Sequence, residues 1–228
     1  QWTQPLDAKV SVQIEGRTVW LRPWLYVHRS TLGPEVPVLL LDADLEENEP
    51  EDRTLTDHLY GGDRAYRLKQ EVVLGIGGLR ILQALGFEIR TYHLNEGHAA
   101  LLPLELLRRT RRSNGNGNGN GHGDADSAYD FAGVREKCIF TTHTPVAAGH
   151  DRFEYGLVAQ VLDGYFDLDQ LKRIAGHDEF NMTSLALGLS NYFNGVARRH
   201  AETTTRMFPG YRVHSVTNGV HAQTWVHP

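Results

Sequence analysis

Apolar and polar residues alternate in two different rhythms along this chain. Over residues 9–14 and 18–25 they alternate singly, as in Val10, Val12 and Ile14, which is the period of a half-buried strand. The intervening Glu15-Gly16-Arg17 predicts a hairpin whose turn the glycine supplies. Residues 36–41 form a continuous aliphatic run ending in Asp42, which predicts a strand buried on both faces. Residues 44–57 are acidic and contain Pro50, and read as a loop with one helical turn. From Asp63 to Leu85 the residues Leu68, Val72, Ile76, Leu79 and Leu82 recur at spacings of four, four, three and three. That spacing marks one face of a helix, which Gly86 stops. A strand is expected over 87–94 and a helix over 96–109, carrying Leu101, Leu104 and Leu107.

The stretch SNGNGNGNGHGDAD, residues 113–126, breaks the pattern. It has no large apolar anchor, and repeated Asn-Gly is costly to order, so it reads as a disordered insertion in a surface loop. Beyond it the pattern predicts strands over 137–142, 192–196 and 213–216, and helices over 155–162, 182–189 and 198–207. This alternation of strand and helix implies an α/β fold, with a Rossmann-like parallel sheet flanked by helices. Three apolar strands then end in short polar segments: HLNEGH (His93 to His98), FTTHT (Phe140 to Thr144) and SVTNGVH (Ser215 to His221). In open α/β sheets, ligands bind at adjacent strand ends, so the three segments point to one shared site.

Composition narrows the class of partner. The chain has 228 residues, 40% of them hydrophobic, and a formal net charge of −5. It carries no basic footprint for nucleic acid or an anionic membrane. No apolar run approaches the roughly 18 residues that span a bilayer, and a cytoplasmic location is expected. The single cysteine, Cys138, reads as a small strand residue in a reducing compartment. The chain begins at Gln1, directly before a strand-like segment, and is expected to be a piece of something longer.

The candidate chemistry is polar rather than metallic. On a helix His93 and His98 would point about 140° apart, whereas paired zinc histidines four residues apart lie about 40° apart. No metal is therefore expected. His93 is placed on the strand, with Asn95, Glu96 and His98 at the strand-to-helix turn, where Glu96 also suits a helix N-terminus. His143, fixed by the following Pro145, can offer a ring nitrogen to a hydroxyl, and Asn218-Gly219 can be a turn. Gly75, Gly77 and Gly78 lie inside a helix rather than after a strand. They are read as permitting close packing, not as a dinucleotide or phosphate loop.

Five ordered segments carry a family resemblance: LYGGDRAYRLKQE (Leu59 to Glu71), HLNEGHAALLPLELLR (His93 to Arg108), FTTHTPVAAGHDRF (Phe140 to Phe153), NGVARRHAE (Asn194 to Glu202) and VTNGVHAQTW (Val216 to Trp225). Together they resemble the α-glucan phosphorylases, and among them the shorter bacterial and archaeal type. The resemblance implies a two-lobed glycosyltransferase architecture, with this chain as part of the N-terminal lobe. It implies transfer of a glucosyl unit from the non-reducing end of an α-1,4-glucan or maltooligosaccharide to inorganic phosphate, giving glucose 1-phosphate with retention. It also implies pyridoxal phosphate held by a lysine of the C-terminal lobe, and it allows a homo-oligomeric parent. By motif, His143 takes the place of the histidine that contacts the sugar and whose carbonyl lies near the anomeric carbon. Asn218 matches a sugar-binding asparagine, Asp63 the acid of a gating loop, and Glu96 and His98 the acid and histidine beside the sugar pocket. Arg67 falls in a region that binds regulatory nucleotides in some relatives, but nothing else in the sequence supports such regulation.

The departures from the family matter equally. Relatives with larger chains have Asn-Asp-Thr-His where this chain has Asn95-Glu96-Gly97-His98. The glycine-rich loop preceding this region has no counterpart here, nor does the cofactor lobe; Lys9, Lys69 and Lys172 lie outside any cofactor motif. The chain alone is thus expected to bind no pyridoxal phosphate covalently and to be catalytically silent. The competing readings are a non-catalytic glucan-binding fragment and one lobe of a nucleotide-sugar glycosyltransferase.

Overall fold

The computed structural model describes residues 2–30, 33–59, 61–111 and 128–221. The stretch 113–126, expected to be disordered, lies outside them. The expected hairpin is present: β2 (Val10–Ile14) pairs antiparallel with β3 (Arg17–Arg29), and Ile14 faces Arg17 across a two-residue turn. Both turn residues have positive φ, 51° at Glu15 and 74° at Gly16, as a type I′ turn requires. The long β3 continues past β2 to pair with β1 (Gln4–Pro5) and, from Arg22 to Arg29, with β4 (Glu35–Asp42).

β4 corrects the expectation of a strand buried on both faces. Among the described residues it pairs with β3 alone, antiparallel, and Val36 and Leu40 are about half exposed. An aliphatic run states what a strand could bury, not what covers it. The acidic loop that follows contains the single expected helical turn, α1 (Pro50–Arg53), whose buried Asp52 accepts two 3.0 Å hydrogen bonds from Arg17.

The 63–85 helix forms because its apolar face has a core to enter. It comprises α2 (Arg64–Val72), a π-helical turn Val73–Gly77 and α3 (Gly78–Ala84). Leu68, Val72, Ile76 and Leu79 are all at most 2% exposed. Gly75 and Gly77 act as the packing reading expected, whereas Gly78 does not: a Cβ there would come no closer than 3.8 Å to Leu41 Cδ1. A Cβ on Gly75 would meet the Leu101 and Leu102 backbone at 2.8–2.9 Å, and one on Gly77 would lie 2.4 Å from Leu21 Cδ1. The π-helical turn is thereby pressed between α4 (Leu101–Arg109) and the antiparallel sheet.

The parallel sheet has the order β10-β9-β6-β5. Its strands are β5 (Tyr92–Asn95), β6 (Cys138–Thr142), β9 (Tyr192–Gly195) and β10 (His214–Ser215). β5 is shorter than the expected 87–94, and Phe87 is 47% exposed. Helices α6 (Tyr155–Leu162), α8 (Met182–Gly188) and α9 (Arg198–Met207) fall where expected. Helices α5 (Phe131–Lys137) and α7 (Leu168–Ala175), and the short pair β7 (Arg152–Phe153) with β8 (Phe180–Asn181), were not expected. Val12 and Leu21 of the first sheet share one buried cluster with Leu94 and Phe140 of the second, and with Leu101, Leu104 and Leu107 of α4. Cys138 is buried in that cluster, and burial pushes its thiol up to about 12.

The close contact at Gly75 and its absence at Gly78 predict opposite outcomes for alanine substitutions at the two positions. Gly75→Ala should destabilise the chain by about 1–3 kcal/mol, the usual cost of overpacking a filled site, because the atoms it meets include backbone. Gly78→Ala, whose nearest neighbour is Leu41 Cδ1 at 3.8 Å, should be neutral or stabilise by up to about 1 kcal/mol through helix propensity. Urea unfolding of both variants decides it; equal effects would refute the packing role.

Candidate functional site

Parallel pairing puts the three polar segments at one edge. Asn95 pairs with Thr141, Thr142 with Gly195, and Gly195 with Ser215, so the segments after β5, β6, β9 and β10 all leave the carboxyl edge of the sheet. Below that edge a polar relay crosses three strands. His93 Nε2 lies 2.7 Å from Thr141 Oγ1, which donates to Asn194 Oδ1 at 3.0 Å. His93 thus lies on the strand, as expected, and its exposed ring leans along the sheet onto Thr141 rather than into the core.

Glu96 is the joint between the first two segments. Its backbone N–H donates to Thr141 O at 2.8 Å, and its φ of 73° is a left-handed value that is rare without glycine. Such a conformation costs of order 1–3 kcal/mol, and the carboxylate offsets it. Oε2 accepts from the His143 N–H at 2.7 Å and from Thr144 Oγ1 at 2.9 Å, while Oε1 accepts from Gly97 N at 3.2 Å and Thr142 Oγ1 at 3.3 Å. Both oxygens are thus occupied in holding the 142–144 corner. The His143 side chain is left exposed at that corner.

The segment from His143 to Asp151 is tied at its far end too. Buried His150 sets Nδ1 2.8 Å from Thr183 Oγ1, and burial lowers its affinity for a second proton. The Asp151 carbonyl accepts from Met182 N at 3.1 Å. The Asp151 side chain turns towards α2, where Arg67 Nη2 donates to Oδ2 at 2.9 Å. The same Nη2 lies 2.9 Å from His98 Nδ1. A guanidinium only donates, so in this contact Nδ1 is the acceptor.

These groups line an open depression of about 600 Å³ that contains Asp63, Arg67, His98, Thr144 and Asp151. Of the expected site residues it brings together Asp63 and His98. Asp63 is also the N-cap of α2, accepting from Tyr66 N at 2.9 Å. Gly62 before it has φ of 73°, and a Cβ there would lie 2.6 Å from Tyr66. Asn218 stands further along the same edge, exposed, its N–H bonded to Val196 O at 3.2 Å. It does not line the depression.

Sequence reasoning passed over Glu71 and Asp151, and read Arg67 only in a regulatory context. Arg67 and Glu71 are one turn apart on a confident helix, so their shared face was open to inference; Asp151's approach to that face was not. Glu71, His98 and Asp151 each place a ligand atom within 4.8 Å of the others, a spacing compatible with a cation. The Arg67 guanidinium already stands there. Burial, and secondly the charge of Asp151, push the Glu71 carboxyl well above the usual range despite Arg67. Burial works in the same direction on Asp151, but His98, Arg67 and Glu71 outweigh it and hold that carboxylate well below the usual range.

No family model matches the chain. It is 36% identical over 231 residues to the maltodextrin phosphorylase of Thermococcus litoralis, covering 96% of this chain and 26% of that protein. It is 39% identical over 221 residues to the glycogen phosphorylase of Mycobacterium tuberculosis, covering 85% and 25%. A glycogen phosphorylase of Aquifex aeolicus matches at 27% identity over 257 residues, covering 99% and 36%. The fold and these matches define a region of an α/β protein related to phosphorylases. More narrowly, the chain belongs to the glycogen and maltodextrin phosphorylase family, and it spans 25–36% of the length of these relatives.

If the Glu96 carboxylate holds the corner, Glu96→Ala should speed exchange of the His143 amide hydrogen by about ten- to a hundredfold, the equivalent of losing a hydrogen bond to a charged acceptor. Glu96→Gln, which keeps one acceptor oxygen, should fall between. Unchanged His143 protection in the alanine variant would refute this role.

Proposed function

We propose that this region forms the sugar-facing wall of an α-glucan phosphorylase cleft. The parent protein then transfers a glucosyl unit from the non-reducing end of an α-1,4-glucan to inorganic phosphate, with retention, giving glucose 1-phosphate. The observation that carries the reading is the convergence of His143, Asn218 and the Asp63–His98 depression on one carboxyl edge of a parallel sheet. Neutral hydrogen-bonding groups suit a polyol, whose hydroxyls must be satisfied when they leave water. His143 and Asn218 would bond the sugar, with the His143 carbonyl near the anomeric carbon. Glu96 would act through the corner it holds rather than on the sugar, since both its oxygens are engaged. A cytoplasmic role in glycogen degradation belongs to the same reading.

Pyridoxal phosphate would supply proton transfer to and from inorganic phosphate through its own phosphate group. The residues of this chain do not fit its covalent attachment. Lys9 and Lys69 are paired with Glu47 and Glu15 at 2.6 and 2.7 Å, and Lys172 lies 5.6 Å from the Tyr155 ring. Lys137 closes α5 just before β6, at the opposite edge of the sheet from the cleft.

Titration of maltoheptaose into this chain should give saturable amide shifts at His143, Thr144 and Asn218. His143→Ala and Asn218→Ala should each weaken binding by about tenfold, the worth of a typical hydrogen bond. Absence of saturable shifts, or shifts confined to the antiparallel sheet, would remove the reading. Incubation with pyridoxal phosphate followed by borohydride should fix no lysine; reduction of one specific lysine would overturn the assignment of that group to another part of the parent.

A further inference from the structure

Glu71 is 1% exposed, and as an anion neither of its oxygens has a hydrogen-bond donor. Arg67 Nε approaches Oε1 only to 3.4 Å, and its Nη2 is committed to Asp151 and His98 at 2.9 Å. A buried carboxylate without donors costs several kcal/mol, and two carboxylates with oxygens within 4.8 Å of each other, as in Glu71 and Asp151, do not both ionise readily. The hydrogen bond open to Glu71 is one in which it carries the proton and gives it to Asp151. Among the described residues the charged and titratable groups facing this pair are Arg67 on α2, His98 after β5 and, on the Asp151 side, buried His150.

We propose that Glu71 is a positioning residue: its protonated carboxyl donates to Asp151, and the pair, sharing one negative charge, sets Arg67 and the His98 ring on the cleft wall. The Arg67 guanidinium then faces one shared negative charge rather than two. The raised carboxyl of Glu71 and the lowered one of Asp151 agree with this division of the proton. The assignment of a sugar to that wall rests on the function proposed above; the proton does not.

Carboxyl-carbon NMR of this chain, with Glu71→Gln identifying the resonance, should show Glu71 keeping its proton well above the pH at which an ordinary glutamate loses it. A midpoint near the ordinary value of about 4.3 would overturn the proposal. The sign of the linked stability is fixed as well. Above pH 4.3 an unfolded Glu71 loses its proton while the folded one keeps it, so rising pH weakens the native chain at this position. The melting temperature of Glu71→Gln relative to the unsubstituted chain should therefore climb from pH 4 to pH 7; a flat difference counts against the proposal.

The positioning role is read separately. Glu71→Ala should shift the His98 ring nitrogens and weaken maltoheptaose binding by about tenfold, whereas Glu71→Gln, whose amide donates as the acid does, should rescue both. A glutamine variant that fails like the alanine variant would overturn it. If the chain binds no maltoheptaose at all, the glucan-wall reading falls, while the carboxyl titration and the His98 shifts still decide the fate of Glu71.

Discussion

Four short strands running the same way determine where the polar segments at one edge of the parallel sheet stand. Parallel strands need long crossovers, so the residues that meet at their carboxyl ends are far apart in sequence: Glu96, His143, Val196 and Asn218 follow four different strands. The sheet contributes little polar chemistry of its own beyond the His93–Thr141–Asn194 relay. Its role is to bring four chain exits to one edge and hold them in register.

Against that frame the segment from His143 to Asp151 is fastened by three different means. A carboxylate takes its first amide, a buried neutral histidine fixes its far end, and an arginine draws its terminal acid onto α2. Each uses a group that would be costly to bury alone. The cleft wall is consequently built of mutually dependent polar contacts, and the exposed His143 ring stands on a corner whose backbone has little freedom.

Much of this was legible in sequence where a periodicity had enough length to express itself. The 63–85 helix followed from five apolar positions, and α9 was read to its observed limits because Arg198–Met207 is a full ten residues. Helix α5 has only seven residues with Gly133 within it, too short for a face to declare itself. Helix α7 did carry a signal, with Asp167 as N-cap and Leu168, Leu171 and Ile174 three apart, which was not recognised. The aliphatic content of β4 was read correctly and its burial was not, because cover is a tertiary property. The same limit governed the cleft. Motifs could name His98 and Asp63, but the approach of Asp151 to Arg67, 84 residues apart, is set by the sheet and by β7 pairing with β8.

The π-helical turn Val73–Gly77 separates two tasks within one helix: α2 carries Arg67 and Glu71 to the cleft, while α3 continues into the packing around Leu79 and Ile81. A π-turn holds one residue more than the α-helical ladder needs. Deleting a single residue there would restore an uninterrupted α-helix and rotate its halves by about 100° relative to each other. With α3 fixed by its packing, the face bearing Arg67 and Glu71 would swing away from Asp151. Chain length in this short stretch is therefore under a constraint that residue identity alone does not express: insertions and deletions at 73–77 are tied to the cleft, although no side chain of the turn reaches into it.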